Sequence, residues 1–441
     1  MLSDPIAALA TPAGRSALAL IRLSGDGAFA VAERVIDGFR TDRPRVALLA
    51  TFRAPNGEPA DRGLYTVFPG PHSYTGEDMV ELSCHGGLLA PARVLTALLS
   101  AGSRQAAAGE FTRRAVLNGK LDLVQAEAVG DLIDAVAPAQ AQAALQQLDG
   151  GLSRRLSDLR ESLIDIQALL GYDIDFPGED DGPLRPGQIA GRLEEVRGRI
   201  ESLLAGAASG ERLREGASLV LAGRPNTGKS SLFNALLGAD RVLVTEIPGT
   251  TRDAVEAHTD FLGWPVRLVD TAGLWDSADR LDRMGVEVSR RYLSTADLVM
   301  LCVEAGREMG EDEVAIVTAR PTLVVRTKAD LCSAAAGELA VSAVTGAGLG
   351  DLRRAAAERV FGERITFADL DPGLTRERHR TALSRAGAAL EGALPHLMPS
   401  GDSVLAAHHV RAATVALDEL LGAVDVEEVL GRIFGAFCVG K

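Results

Sequence analysis

The chain of 441 residues has few cysteines, few aromatic side chains and no long apolar run. Its four cysteines, Cys84, Cys302, Cys332 and Cys438, form no CxxC pair, which argues against a disulfide framework and against a structural zinc site. The apolar run at 17–21 is too short for a signal peptide, and no stretch is long enough to span a membrane. A soluble, cytoplasmic protein is therefore expected.

An excess of basic residues is also lacking. The net charge of −14 excludes nonspecific nucleic-acid binding by the whole molecule, although it allows local basic patches. A hydrophobic content of 46% is ample for packed cores, and the length suits two to four domains.

The first part of the chain mixes strands with helices. Short apolar strands are predicted at 18–23, 46–52 and 80–83, with a helical stretch at 91–99. This pattern indicates a small α+β domain over 1–118.

Helical periodicity dominates the next part. Leucines and isoleucines recur at steps of three and four from Leu145 to Leu170, which predicts one face of a long helix. An acidic break rich in Pro and Gly follows at 175–188, and the same period resumes over 189–203. From about Gly216, buried strands alternate with helices, as in a parallel α/β sheet, and helices return after Thr375.

The simplest topology is a helical domain interrupted by a nucleotide-binding domain. Helices 189–206 and 375–393 would then pack together, because neither helical half alone covers its apolar stripe. The alternative is three successive domains. The predicted boundaries are 1–118, 119–214, 215–364 and 365–441.

The clearest motif is GRPNTGKS at 223–230. An apolar run (219–222) precedes it and a helical pattern (232–237) follows, which is the context of a phosphate-binding loop. Lys229 can reach the outer phosphates, and Ser230 can hold Mg²⁺.

Further motifs follow in order. After a strand at 266–269 comes DTAG, where Asp270 can bind the Mg²⁺ shell and Gly273 can sense the γ-phosphate. Between the two motifs lies GTTRD (249–253), in which Thr251 can close on Mg²⁺.

A pair of loops predicts guanine as the base. Asp330 can accept two hydrogen bonds from guanine that adenine cannot donate, and the segment Ser342 to Val344 can offer a backbone N–H to the guanine oxygen. Thr327 stands where Asn is usual. Its hydroxyl can tie this loop to the phosphate-binding loop, but with less reach, so a lower affinity for the base is expected. Leu274 replaces the Gln that orients water in signalling GTPases, so hydrolysis needs another arrangement.

The whole chain resembles the tRNA-modification GTPase family called MnmE or TrmE. Besides the GTPase motifs, the segments that carry the resemblance are 6–25, 73–87, 109–133, 173–177 and the C-terminal FGAFCVGK at 434–441. The last of these has Val439 where the family has Ile.

This resemblance implies a multidomain α/β plus α fold: an N-terminal α+β folate-binding and dimerising domain, a discontinuous helical domain, and an inserted Ras-like P-loop GTPase domain with a parallel-rich sheet. It also implies an activity. With the flavoprotein MnmG in a heterotetramer, the family adds an aminomethyl or carboxymethylaminomethyl group to C5 of the wobble uridine of certain tRNAs. GTP hydrolysis drives the two GTPase domains of a homodimer together in the presence of potassium.

The resemblance also assigns nucleotide-site residues. The K⁺ ligands would be Asn226, Thr245, Ile247 and Thr250, and catalysis would involve Asn226, Lys229 and Asp282. The family has Glu at the position of Asp282; motion of the switch loop could compensate for the shorter Asp, or Asp279 or Asp276 could contribute. The residues expected to bind GTP are Asn226, Thr227, Gly228, Lys229, Ser230, Ser231, Thr245, Glu246, Ile247, Pro248, Gly249, Thr250, Thr251, Asp270, Thr271, Ala272, Gly273, Thr327, Lys328, Asp330, Ser342, Ala343 and Val344.

A second site is implied for formyl-tetrahydrofolate, held by Arg22, Glu81, Lys120 and the terminal Lys441. Glu81 suits the donor-rich pterin edge, and the cations suit the glutamate tail. Cys438 is either a nucleophile or a small apolar residue that packs the tail.

Two basic features and one alternative function stay open. His85 is either a site residue or a structural histidine. The segment 375–385, with its arginines, either touches tRNA phosphates or the partner protein, or forms a solvated helix face. The alternative function is an Era-like ribosome-assembly GTPase, but that class carries a basic RNA-binding domain after its GTPase domain.

Overall fold

A computed structural model describes residues 3–175, 186–238, 255–270, 292–362, 373–398, 401–422, 437 and 440. The chain forms two compact units. The first comprises Met1–Gly130, Ser153–Arg160 and Thr414–Lys441, and the second comprises Asp131–Leu152 and Glu161–Ala413.

The first unit contains a six-stranded sheet. Its strands are β1 (Ile6–Leu9), β2 (Leu18–Ser24), β3 (Leu48–Arg53), β4 (Pro59–Phe68), β5 (Met79–His85) and β6 (Arg104–Gln105), in the order β3-β4-β5-β2-β1-β6. All pairs are antiparallel except β1 with β6.

Helices α1 (Ala28–Val35) and α2 (Ala90–Ser100) cover one face of this sheet. The period of two along β2 buries Ile21 and Leu23 against them and places Arg22 on the opposite face. The helices α3 (Glu110–Leu117) and α4 (Leu123–Asp134) follow.

The second unit contains a five-stranded sheet. Its strands are β7 (Ala217–Ala222), β8 (Val255–Phe261), β9 (Trp264–Asp270), β10 (Leu298–Glu304) and β11 (Thr322–Thr327), in the order β11-β10-β7-β9-β8. All neighbours are parallel except β8 with β9.

Helices cover both faces of the five-stranded sheet. Leu236 of α9 (Lys229–Leu237) and Leu352 of α11 (Leu349–Phe361) are in the core on one face, and Ile316 of α10 (Glu311–Ala319) packs on the other. This parallel-rich sheet and the α+β first unit confirm the predicted fold class.

The other helices are α5 (Pro138–Leu148), α6 (Gly151–Asp175), α7 (Pro186–Ala205), α8 (Ala207–Glu215), α12 (Glu377–Ala393), a 3₁₀ turn (Leu394–Leu397) and α13 (Ser403–Leu421). The helices α7 and α12 pack together, which is the contact expected between helices 189–206 and 375–393. The position of the domain boundaries stays a prediction.

The prediction of one continuous helix through Leu145 to Leu170 was wrong. The chain breaks between α5 and α6, where Gly150 adopts φ 81°, a left-handed conformation that ends a helix. The leucine period survives the break because Leu148 and Leu152 are still four residues apart. The apolar stripe itself is real in α6, where Leu152, Leu163 and Leu170 are buried.

Candidate functional site

The GRPNTGKS motif forms a loop between β7 and α9, the local structure that the sequence predicts. Gly223 has φ 141°, and a Cβ there would lie 2.4 Å from the carbonyl oxygen of Cys302, so only glycine fits. Asn226 (φ 61°) and Gly228 (φ 86°) are also left-handed. These turns bring the loop back over the N-terminus of α9, where backbone N–H groups favour an anion.

Lys229 lies over the phosphate-binding loop. Its side chain is buried, and its Nζ donates a hydrogen bond of 2.8 Å to the carbonyl of Arg224. The Thr227 hydroxyl donates to the same carbonyl at 2.9 Å. The ammonium is thus placed inside the loop, where it can neutralise phosphate charge.

Two oxygen donors suit a magnesium ion. Ser230 is exposed in the first turn of α9, and Asp270 ends β9, the strand beside β7. Hydroxyl and carboxylate oxygens are ligands that Mg²⁺ prefers, with nucleotide phosphates as the others. These residues therefore fit the ion that the motif predicts.

Thr327 connects the predicted base loop to the phosphate-binding loop. Its buried hydroxyl lies 2.6 Å from the carbonyl oxygen of Thr227 and 3.4 Å from that of Val303. The predicted tie between the two loops is therefore present, made by Thr rather than by Asn.

The two base loops lie together at one edge of the sheet. The N–H of Ala329 donates to the carbonyl of Val341 at 3.1 Å. Lys328 (φ 57°) pairs with Glu304, and Asp330 is exposed.

The segment that follows Val341 is shaped by a buried hydroxyl. Ser342 Oγ accepts a hydrogen bond of 3.1 Å from the N–H of Thr345. Ala343 is partly exposed, and Val344 is 85% exposed. Their backbone can therefore approach a base held by Asp330.

Cys302 lies below the phosphate-binding loop. Burial raises the pKa of its thiol to about 12; the opposing effect of Lys229 is the next largest, and Asp270 adds a smaller raising effect. The thiol therefore stays neutral and serves as packing. Burial likewise raises the pKa of Cys84 to about 11.

In the first unit, Arg22 and Glu81 are directly opposed on β2 and β5. Arg22 Nε lies 3.0 Å from Glu81 Oε1, and both side chains are about four-fifths buried. The Arg22 guanidinium also lies 5.6 Å from the Tyr74 ring centroid. Lys120 donates from Nζ to the carbonyl of Pro71 at 3.0 Å. The structure thus brings Arg22 and Glu81 into contact, and Lys120 is hydrogen-bonded to Pro71, three residues before Tyr74.

The C-terminal tail reaches this site. Arg22 Nη1 donates to the carbonyl of Gly440 at 3.4 Å, and a Cβ on Gly440 would lie 2.4 Å from the carbonyl oxygen of Leu9. Further back, the Phe437 ring packs on Gly130. Gly440 therefore lies beside Arg22 at a position where only glycine fits.

Sequence reasoning missed the role of Tyr74 and a buried ion-pair network beside it. Tyr74 Oη lies 2.9 Å from Thr112 Oγ1, and burial raises its pKa. The Arg114 guanidinium is almost fully buried and pairs with Glu77 at 3.2 Å and with Glu110 at 3.0 Å. The motifs around 73–87 and 109–133 contain these residues, which is the signal that could have pointed to them.

Glu110 is the most strongly perturbed carboxyl of that network. Burial alone would raise its pKa, but hydrogen bonds from Arg104, from the N–H of Ala107 and from Arg114 lower the pKa to about 2. The carboxylate is thus charged at every ordinary pH and fixes the start of α3.

His85 and the basic segment 375–385 contact acidic residues of the protein. His85 Nδ1 lies 2.9 Å from Asp61 Oδ1, which fits the structural interpretation. In the segment 375–385, Arg376 pairs with Asp131 at 2.6 Å, and Arg380 pairs with Glu377.

Several predicted residues lie outside the described residues. They are Thr245, Glu246, Ile247, Pro248, Gly249, Thr250, Thr251, Thr271, Ala272, Gly273, Leu274, Asp276, Asp279, Asp282, Cys438 and Lys441. Within the described ranges, no helix is both long and apolar enough to cross a membrane.

Comparison with known proteins covers the whole chain. A family model described as the MnmE helical domain matches residues 123–438, and one described as the N-terminus of the GTP-binding protein TrmE matches residues 5–120. The chain is 40% identical to the tRNA modification GTPase MnmE of Aquifex aeolicus (strain VF5), with 100% of each covered. It is 45% identical to that of Methylorubrum populi, over 99% of this chain and 98% of the relative.

Solved structures are similar over part of the chain. The G domain of the T. maritima FeoB iron transporter is 27% identical with a TM-score of 0.27, over 32% of this chain and 98% of that chain. Era of Aquifex aeolicus is 23% identical with a TM-score of 0.27, over 39% of this chain and 66% of that chain.

The loop around Lys229, on a parallel sheet with a base loop tied to it by Thr327, defines a P-loop GTPase. Both family models match, and the relatives are similar from end to end. The chain belongs to the MnmE family of tRNA modification GTPases.

Proposed function

We propose that the chain is a K⁺-activated GTPase that modifies C5 of the wobble uridine of certain tRNAs. It does so with the flavoprotein MnmG and a folate one-carbon unit, in the cytoplasm, where its tRNA substrate is. The observation that carries the proposal is identity of 40–45% to tRNA modification GTPases over the whole chain, together with a complete phosphate-binding loop.

Lys229 and Ser230 hold the triphosphate and its magnesium in this proposal. Mg²⁺ held by Ser230 and Asp270 would neutralise negative charge that develops on the phosphates during hydrolysis. Lys229 adds a second positive charge from inside the loop. Asp330 selects guanine, and Thr327 keeps the base loop in register with the phosphate-binding loop.

Potassium activation rests on Asn226. Its side chain is exposed in a left-handed turn of the loop, so its amide oxygen is available to a monovalent cation. The family resemblance supplies Thr245, Ile247 and Thr250 as the other ligands and Asp282 as the group that acts on the attacking water. A cation held there would supply the positive charge that an arginine finger gives other GTPases.

The one-carbon carrier is assigned to the site of Arg22 and Glu81. Glu81 offers carboxylate oxygens to the donor-rich edge of a pterin, and Tyr74 offers an aromatic face. Gly440 brings the tail to Arg22, so the terminal Lys441 is one residue from this contact. Formyl-tetrahydrofolate, when bound, supplies the carbon that is transferred.

Assembly follows from the same family. We propose a homodimer through the N-terminal domain (1–118), two MnmG subunits in a heterotetramer, and GTPase domains (215–364) that meet on hydrolysis. The two helical segments, 119–214 and 365–441, form one interrupted domain.

Two experiments test this function. GTP hydrolysis measured in KCl and in NaCl of equal ionic strength should be faster in KCl; equal rates would remove the potassium step. Nucleoside analysis of tRNA from a deletion strain should show the loss of the modified wobble uridine. The Era-like alternative predicts unchanged tRNA and a defect in ribosome assembly, and no described feature favours it.

A further inference from the structure

The chain enters and leaves the nucleotide-binding sheet beside one carboxylate. Asp131, on α4, accepts a hydrogen bond of 2.6 Å from Arg376 Nη2, and Arg214 Nε approaches the same oxygen at 3.2 Å. Arg214 lies on α8, directly before β7, whereas Arg376 lies where the chain returns to the helical segments. One carboxylate thus joins the incoming and the returning segment.

Two glutamines of α5 reinforce the same arrangement. Gln140 Nε2 donates to the carbonyl of Arg214 at 2.7 Å, which fixes the incoming segment. Gln147 Nε2 donates to the carbonyl of Gly373 at 3.0 Å and to Thr375 Oγ1 at 3.2 Å, which fixes the returning one. We name the residues that make these contacts the junction: Asp131, Gln140, Gln147, Arg214, Gly373, Thr375 and Arg376.

The two segments of the junction also touch directly. A Cβ on Gly210 of α8 would lie 2.0 Å from the carbonyl oxygen of Leu374, so the backbones are in close contact. A cavity of about 110 Å³ opens beside them, lined by Asp131, Gln147 and Arg214 among others. Water can therefore reach the polar groups if the carboxylate releases them.

A short path leads from the junction to the nucleotide. Helix α8 ends at Glu215, and β7 then runs directly into the phosphate-binding loop. A Cβ on Gly216 (φ 82°) would lie only 3.3–3.5 Å from the backbone of β9, the strand that ends at Asp270. A strand inside a sheet is stiff, so a rotation at α8 moves the loop and the magnesium ligand together.

We propose that Asp131 is a positioning residue for GTP hydrolysis: by joining Arg214 to Arg376 it fixes how the nucleotide-binding domain is carried on the helical segments. The inference rests on the proposed function, because hydrolysis there requires two GTPase domains to meet in a defined orientation. Without the negative charge, two guanidiniums lose their common partner and repel each other.

Loss of the ion pairs of Asp131 is expected to leave the domain folded. Next to the junction, the Trp264 ring stacks on Phe361 at a centroid distance of 4.7 Å, and Ala139 and Leu213 pack around them. These apolar contacts do not involve Asp131. A change at that carboxylate is therefore expected to loosen the orientation of the domain and to leave it folded.

The test is Asp131→Asn in the full chain. Asn keeps the shape of the side chain and removes its charge. We expect kcat for GTP in KCl to fall on the order of tenfold, with the Kd for GDP within about twofold of wild type. Hydrogen exchange should rise in α8 and in residues 373–376, and stay low in β7. Asp131→Glu, which restores the charge, should recover most of kcat.

Asp418→Asn is the matched control. Asp418 pairs with Arg160 and has the same 17% side-chain exposure as Asp131, but lies outside the junction. This variant should leave kcat unchanged. The inference would be overturned if Asp131→Asn kept the kcat and the hydrogen exchange of the wild type. It would also be overturned if Asp131→Asn lowered Tm and the affinity for GDP more than Asp418→Asn does. If the wild-type chain shows no potassium-dependent GTPase activity, the proposed function fails, but the exchange result still decides whether Asp131 fixes the junction.

Discussion

The hydroxyl of Thr327 lies 2.6 Å from the carbonyl oxygen of Thr227, so the loop that selects the base is bonded to the loop that holds the phosphates. The two residues are 100 positions apart in the chain. Asn is usual at the position of Thr327, and the shorter Thr still makes the bond because the end of β11 brings its Oγ1 directly to the loop.

Replacing Thr327 by Val tests this bond. Val keeps the shape but leaves the buried Thr227 carbonyl without this donor, which costs about 1–3 kcal/mol. The affinity for GDP should therefore fall about tenfold by fluorescence titration. Thr327→Ser retains the hydroxyl and should bind GDP nearly as wild type does; equal affinities for the Val and Ser variants would show that the bond does not matter.

Gly223 should be irreplaceable for a steric reason. In Gly223→Ala, the new Cβ would lie 2.4 Å from the carbonyl oxygen of Cys302. The backbone φ of 141° is also unfavourable for Ala. Gly238 also has a positive φ (71°), but no atom of the described residues beyond its chain neighbours lies within 4 Å of a Cβ there, so Gly238→Ala should lower the free energy of unfolding by only about 1 kcal/mol. Chemical denaturation should show at least about twice that loss for Gly223→Ala. Equal losses would mean that the clash is relieved by movement of the loop.

The buried network around Glu110 makes stability depend on pH. Its pKa is lowered from 4.5 to about 2 in the folded protein, so its contribution is complete above pH 4.5 and is lost as the pH falls towards 2. That contribution is on the order of 3 kcal/mol. Glu110→Gln should lower the free energy of unfolding at pH 7 and flatten its decline between pH 4.5 and 2. A parallel decline in both proteins would contradict the assignment.

A change in the contact between Gly440 and Arg22 should affect tRNA modification but not GTP hydrolysis. In Gly440→Ala, a Cβ would collide with the backbone of Leu9, so the tail should leave its seat beside Arg22. Formation of the modified wobble uridine should then fall at least about tenfold, because even a small displacement of groups at a reaction site lowers the rate by that much or more. GTP hydrolysis should stay at the wild-type rate. Loss of both activities together would argue that the tail is not specific to the one-carbon site.

Much of the fold follows from local patterns. The alternation in β2 predicts a strand with Arg22 on one face, and the apolar run before Gly223 predicts the strand that carries the phosphate-binding loop. The break at Gly150 was missed because the leucine period continues across it. A single glycine can continue a helix or end it, and only its φ decides.

Long-range contacts could not be predicted from local patterns. The opposition of Arg22 and Glu81 depends on strand register, and the approach of Gly440 to Arg22 joins residues 418 positions apart. The double contact of Asp131 requires α4, α8 and α12 to meet, which no periodicity in any one of them specifies.

The most direct measurement of the central claim is nucleoside analysis by mass spectrometry in a complemented deletion strain. The wild-type chain should restore the modified wobble uridine of the tRNA. Lys229→Ala, which removes the ammonium from the phosphate-binding loop, should not restore it although the protein accumulates at a normal level. Full restoration by Lys229→Ala, or wobble uridine that is already modified in the deletion strain, would contradict a GTPase that drives this modification.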